Sequence, residues 1–97
     1  MKNMTPEILS YVLGASCQGS SGRQTEITIV VTDSRKVEKG SLFIAIKGER
    51  TDGNRYIHSS YEKGALCCIS QVSEQENGVT LEEGCYIQVP DVYAAIQ

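Results

Sequence analysis

The chain has 97 residues, 40% of them apolar and 22% charged, with a formal charge of −3, a composition that fits one ordinary globular domain and excludes a disordered or fibrous one. No apolar run approaches the roughly 18–20 residues that a membrane span needs, and Pro6 and Glu7 interrupt any apolar secretory core at the N-terminus, so a cytoplasmic protein is expected. The acidity, with a pI near 5.0, argues against a nucleic-acid binder that relies on bulk charge.

Thr5-Pro6-Glu7 opens a helix, with Thr5 as N-cap, Pro6 at the first helical position and an acid in the first turn. Ile8, Leu9, Val12 and Leu13 form its apolar stripe and Gly14 ends it. Residues 15–25 are small and polar and read as a loop. Glu26–Thr32 is β-branched through its centre and reads as a strand; Val37–Gly40 is a turn. Leu42–Ile46 is a continuous apolar run, as in a strand covered on both faces. After the polar loop Lys47–Asn54 come a helix at about Arg55–Lys63, ended by Gly64, and a buried strand at Ala65–Ser70. Strand, helix, strand is a βαβ unit with parallel neighbours. Residues 72–84 are a surface excursion, Cys85–Val89 a further strand, and Asp91 the N-cap of a last helix. The expected fold is α/β: a small mixed, largely parallel sheet with flanking helices.

That last helix has only Val92–Gln97 after its cap and no stop signal. Helices this short are marginal alone, so residues 1–97 are expected to be one domain cut from a larger protein; a short helix docked on the sheet is the alternative.

Cysteine and histidine exclude more than they suggest. The four cysteines form no C-x-x-C, and the adjacent Cys67 and Cys68 point to opposite faces of a strand, as small buried hydrophobes do. His58 is the only histidine, expected on a helix surface, so a histidine metal site or a serine–histidine triad has little to draw on. There is no G-x-x-x-x-G-K-[ST] phosphate loop, no G-x-G-x-x-G and no nucleophile elbow. Read from its residues, the chain binds rather than catalyses.

Charge distribution indicates what it binds. Arg35, Lys36, Lys39, Lys47, Arg50 and Arg55 outnumber Glu38, Glu49 and Asp52 in one short window of an otherwise acidic chain. A local basic stretch suits a small anionic ligand; a solvated charged loop is the plainer alternative. Two polar segments fall at its edges, Thr32-Asp33-Ser34-Arg35 and Lys47–Asn54, each directly after a predicted strand. In open α/β sheets ligands gather beyond the carboxyl ends of strands, where hydroxyls can meet a base or ribose and arginine can clamp phosphate. The link from Arg35 to Ser41 is shorter than the dozen or so residues of a usual parallel crossover. As sheet neighbours the two strands should then be antiparallel, with the polar segments apart; a shared site requires strands that are non-adjacent or in separate sheets.

Thr32–Val37, Lys39–Arg50, Asp52-Gly53 and Glu62–Ala65, taken in order, resemble the N-terminal domain of the Mur ligases, and Lys47-Gly48-Glu49-Arg50-Thr51-Asp52-Gly53 is most similar to the MurF type. Gln88–Val92 is similar to the exit of that domain. The resemblance implies a domain that holds the UDP end of UDP-N-acetylmuramoyl-tripeptide in an ATP-dependent amide ligase. It also implies a central domain binding ATP and magnesium, and a C-terminal domain bringing D-alanyl-D-alanine, both outside residues 1–97; this segment itself carries neither cofactor nor metal. Carried over by position, Thr32 and Ser34 meet the uracil and ribose. Arg35 stands beside them or ties the strand exit, and Glu49, Arg50 and Thr51 form the other wall. The chain departs from the family at Thr51, where an aromatic is common, and at Asn54, where a histidine is. A MurE-type ligase domain, or a regulatory module on the same fold, are the other readings.

Overall fold

The structure, a computed structural model, describes residues 3–80 and 82–96. Helix α1 (Pro6–Leu13) begins as its sequence requires: the Thr5 hydroxyl accepts from the Ile8 N–H at 3.2 Å, and Gly14 closes it at φ 66°. Its buried face differs from the expected stripe. Pro6 and Leu9 are buried and Leu13 packs on the core, whereas Ile8 and Val12 are exposed. A helix of two turns at the margin of a sheet covers it with one narrow i, i+4 row, so the adjacent apolar row stays outside.

Five strands form one sheet in the order β1-β5-β4-β3-β2: β1 (Cys17–Gln18), β2 (Ile29–Val31), β3 (Ser41–Ile44), β4 (Cys67–Ser70) and β5 (Cys85–Gln88). Strands β2 to β5 are parallel, and β1 pairs antiparallel with β5. The mixed, largely parallel sheet is the one expected. β1 is not, for it lies within the stretch read as loop. Two residues carry no periodicity, and their extended form comes from pairing with β5.

Alternation along the strands divides the core. Leu42, Ile44, Cys67, Ile69 and Ile87 face α1 and the last helix, α3 (Val92–Ala95), meeting Leu9 and Val92. Phe43, Cys68 and Tyr86 face α2 (Ile57–Glu62), meeting Ile57 and Tyr61. Cys67 and Cys68 thus lie on opposite faces, both fully buried. Burial raises the thiols of Cys68 and Cys85 to about 12 and pushes Cys67 up as well. These cysteines are packing groups, and no helix among the described residues is long and apolar enough to cross a membrane.

The β2–β3 connection overturns the antiparallel expectation. The two strands are adjacent and parallel, with Ile29 opposite Ser41 and Val31 opposite Phe43. Strands this short allow it: at about 3.3 Å per residue, the chain has only some 10–13 Å to travel back. A 3-10 turn (Ser34–Lys36) and Gly40 at φ 88° complete the return. All four parallel strands therefore end on one rim, and both polar segments emerge there side by side.

Candidate functional site

Beyond β2, Asp33 caps the 3-10 turn and holds the next arginine. Its Oδ1 accepts from the Arg35 N–H at 2.9 Å and from Nε at 3.0 Å, and its Oδ2 accepts from Nη2 at 2.8 Å. Arg35 is 88% exposed, so the fork stands at the rim with its orientation set by a carboxylate rather than by carbonyls. The guanidinium and its hydrogen bonds hold the Asp33 carboxyl at about 2. The depressed value means the pair stabilises the turn above the ordinary carboxylate range and is lost as pH falls through about 2. An NMR titration of the Asp33 carboxyl carbon should show that midpoint, moving up toward the ordinary value of 3.8 in Arg35→Ala. A midpoint that does not move would show the fork to be absent in solution. Lys63, at the end of α2, donates to the Ser34 carbonyl at 3.1 Å and braces the same turn.

Beyond β3 the loop doubles back tightly. Lys47 and Asp52 form an isolated antiparallel bridge, and the Gly53 N–H donates to the Ile46 carbonyl at 2.8 Å. Asp52 caps a second 3-10 turn (Gly53–Tyr56), accepting from the Asn54 N–H at 3.0 Å and Nδ2 at 2.8 Å. These bonds hold its carboxyl below the ordinary range.

A cavity of about 550 Å³ lies between the two exits. Thr32, Ser34 and Arg35 line one side, Thr51, Gly53 and Tyr56 the other, and Phe43 is at the base. Of the residues expected at a site, Thr32, Ser34, Arg35 and Thr51 come together. Glu49 and Arg50 are exposed on the loop tip and do not line the cavity. Tyr56 and Lys63 went unforeseen. Tyr56 supplies an aromatic ring opposite the Thr32–Arg35 corner, where Thr51 carries none; an aromatic four residues after Asp52 was the available signal.

The Asn54 side chain anchors this wall to the sheet. Its Oδ1 accepts from the Ser70 hydroxyl and, at 2.9 Å, from Asn77 Nδ2; Asn77 Nδ2 also donates to Tyr86 Oη at 2.8 Å. Tyr86 Oη donates in turn to the Val72 carbonyl. The lining offers hydroxyls, one aromatic ring and one oriented guanidinium, which suits a planar heterocycle bearing a polyol or an anion. It has no nucleophile–base pair: His58 sits on α2, paired with Glu83 and, at 3.8 Å, with Glu62.

A family model described as "Mur ligase family, catalytic domain" matches residues 26–95, most of the chain. The chain belongs to the Mur ligase family. Among curated relatives of this Mur ligase sequence, one from Bacteroides fragilis is 41% identical over 92 residues, and one from Bacteroides thetaiotaomicron is 39% identical over 92. Both are named UDP-N-acetylmuramoyl-L-alanyl-D-glutamate–2,6-diaminopimelate ligase; each match covers 93% of this chain and 18% of the relative. Among solved structures, two crystal structures of MurF from Acinetobacter baumannii share the fold at a TM-score of 0.76 and 27% identity, covering 95% of this chain and 19% of theirs. The chain thus spans about a fifth of the length of the Mur ligases it matches.

Proposed function

We propose that this chain is the N-terminal, UDP-binding domain of an ATP-dependent amide ligase acting on UDP-N-acetylmuramoyl-peptide in the cytoplasm, as a step of peptidoglycan-precursor synthesis. The carrying observation is the cavity that brings Thr32, Ser34 and Thr51 together from two strand exits, with Tyr56 and Arg35 beside them. The hydroxyls meet the uracil and ribose, Tyr56 packs against the base, and Arg35 stands toward the anionic diphosphate. Glu49 and Arg50 act from the loop tip on the parts of the substrate outside the cavity.

Activation of the substrate carboxylate by ATP and magnesium belongs to a central domain outside residues 1–97, and delivery of the incoming amine to a C-terminal domain. The sequence of this chain carries no phosphate loop of its own for ATP. The type favoured is the ligase that adds 2,6-diaminopimelate, the activity named in relatives matched over 93% of this chain. The fold's likeness to MurF supports the second reading, addition of D-alanyl-D-alanine.

Isothermal titration with UDP and with the UDP-muramoyl peptides should show saturable binding. Ser34→Ala should weaken it roughly 3–10-fold and Arg35→Ala roughly tenfold or more, in keeping with neutral and charged hydrogen bonds. UDP at 100 times its dissociation constant should add about 2.7 kcal/mol to stability. No heat at millimolar UDP, with no shift in thermal stability, would favour a regulatory module on the same fold. Which amine the full-length enzyme consumes with ATP separates the two ligase types.

A further inference from the structure

The two sides of the sheet meet solvent differently. On one side the exposed residues of α2 are His58 and Glu62, the polar outer face usual for a surface helix. On the other, the exposed residues of α1 are Ile8, Tyr11 and Val12, and those of α3 are Tyr93 and Ala94, with Ile96 just beyond it. None of these is charged. Five of the eight large apolar side chains exposed among the described residues thus belong to α1, α3 and the residue after α3, on the Leu9–Val92 side of the core. Ile8, Tyr11 and Val12 are spaced i, i+3, i+4 and form one row, in which Tyr11 is 83% and Val12 68% exposed. The one charged residue of α1, Glu7, is held in its ion pair with Arg23 at 3.1 Å. A helix apolar on its outward side as well as its inward one has the surface of an element covered on both.

Area and connection together select the occupant. A row of three side chains offers well under the roughly 800 Å² per partner of a stable association between separate molecules. A segment tethered to the same polypeptide needs less, because linkage holds it at an effective concentration in the millimolar range. This chain spans about a fifth of the ligases it matches, so in a ligase of their length more of the polypeptide lies outside it than within. Its last helix, α3, packs on the same side of the sheet as α1, so a continuing polypeptide leaves from that side. We infer that the outward face of α1 is the docking surface for the remainder of the ligase polypeptide, an apolar segment of which seats against Ile8, Tyr11 and Val12. The inference rests on the reading of this chain as one domain of a longer ligase, but not on what the nucleotide cavity holds.

Hydroxyl-radical footprinting of the full-length ligase beside residues 1–97 tests it, at dilutions where sedimentation shows the ligase as a single polypeptide. Tyr11 should react severalfold more slowly in the ligase than in residues 1–97. His58, 70% exposed on the α2 side, should react alike in both. Val12→Lys places a charge in the row at an exposed position, so it should leave the unfolding midpoint of residues 1–97 unmoved. In the full-length ligase the same change should return Tyr11 toward the reactivity it has in residues 1–97. Three results would each overturn the inference: full reactivity of Tyr11 in the ligase, protection that Val12→Lys does not relieve, and protection that develops in residues 1–97 as their concentration rises, the mark of a second copy. The wild-type comparison decides even where the variant ligase does not fold. UDP titration of the same two proteins keeps the readings apart. Protection without UDP binding supports the docking face and counts against the nucleotide site, and UDP binding without protection does the reverse.

Discussion

Asn54→Ala should lower the midpoint of thermal unfolding by about 10–20 °C, corresponding to about 2–3 kcal/mol for a domain of this size. The side chain joins three segments far apart in sequence. It donates to the Asp52 cap at 2.8 Å and accepts from Ser70, at the end of β4, and from Asn77, in the 71–84 connection. Alanine takes the acceptor from the Ser70 hydroxyl proton, leaving Ser70 Oγ only the Val72 N–H it accepts from at 2.9 Å, removes one of Asn77's two acceptors and takes one of two donors from Asp52. Buried polar groups without partners cost about 1–3 kcal/mol each, partly recovered where a second partner remains. Arg55→Ala, one residue on and exposed, should stay within about 0.5 kcal/mol. Equal midpoints for the two variants would mean that the network adds nothing to stability. Because Asp52 sets the turn that carries Tyr56, UDP affinity should fall in Asn54→Ala as well, a readout that Arg55→Ala leaves unmoved.

What sequence made legible were the features written into single segments. The β-branched run at 27–31 and the apolar run at 42–46 marked strand centres, although the ladders are shorter, Ile29–Val31 and Ser41–Ile44. Thr5, Gly14 and Asp91 were readable as caps because each acts within four residues of itself. Adjacent cysteines on opposite faces follow from strand geometry alone. The misses belong to pairings between segments. β1 exists because Cys17 lies opposite Ile87, and the parallel β2–β3 register depends on how little chain the return needs. That register decides the candidate site. With β2 and β3 antiparallel, Ser34 and Thr51 would leave opposite ends of the sheet; in parallel they line one cavity. Lys63 and Tyr56 enter through the packing of α2 and the turn before it. No local pattern announces that Lys63 will reach a carbonyl 29 residues away.

The same return explains the other large expected loss. Gly64→Ala should cost about 2–4 kcal/mol, combining a strained backbone with a forced contact. Gly64 has φ 110°, and a Cβ there would lie 2.8 Å from Lys39 Cα and 3.2 Å from Lys39 N, backbone atoms that cannot swing away. Its carbonyl accepts from the Gly40 N–H at 2.9 Å, and the Gly40 carbonyl accepts from the Thr28 N–H at 2.9 Å. These bonds fasten the end of α2 to the β2–β3 connection and, through it, to the start of β2. Displacing Lys39 loosens the strap that holds the two strands parallel, while moving α2 carries Lys63 away from Ser34. UDP affinity should therefore fall along with stability. Gly78→Ala supplies the comparison, for Gly78 also has positive φ, at 66°, yet a Cβ there meets nothing within 4 Å. It should cost only about 1–2 kcal/mol, the conformational part alone, and leave UDP binding as it was. Denaturant unfolding of both variants separates backbone strain from the forced contact. Equal losses would show that the close approach of Gly64 to Lys39 does not brace the connection, and that the parallel register is held by the strands themselves.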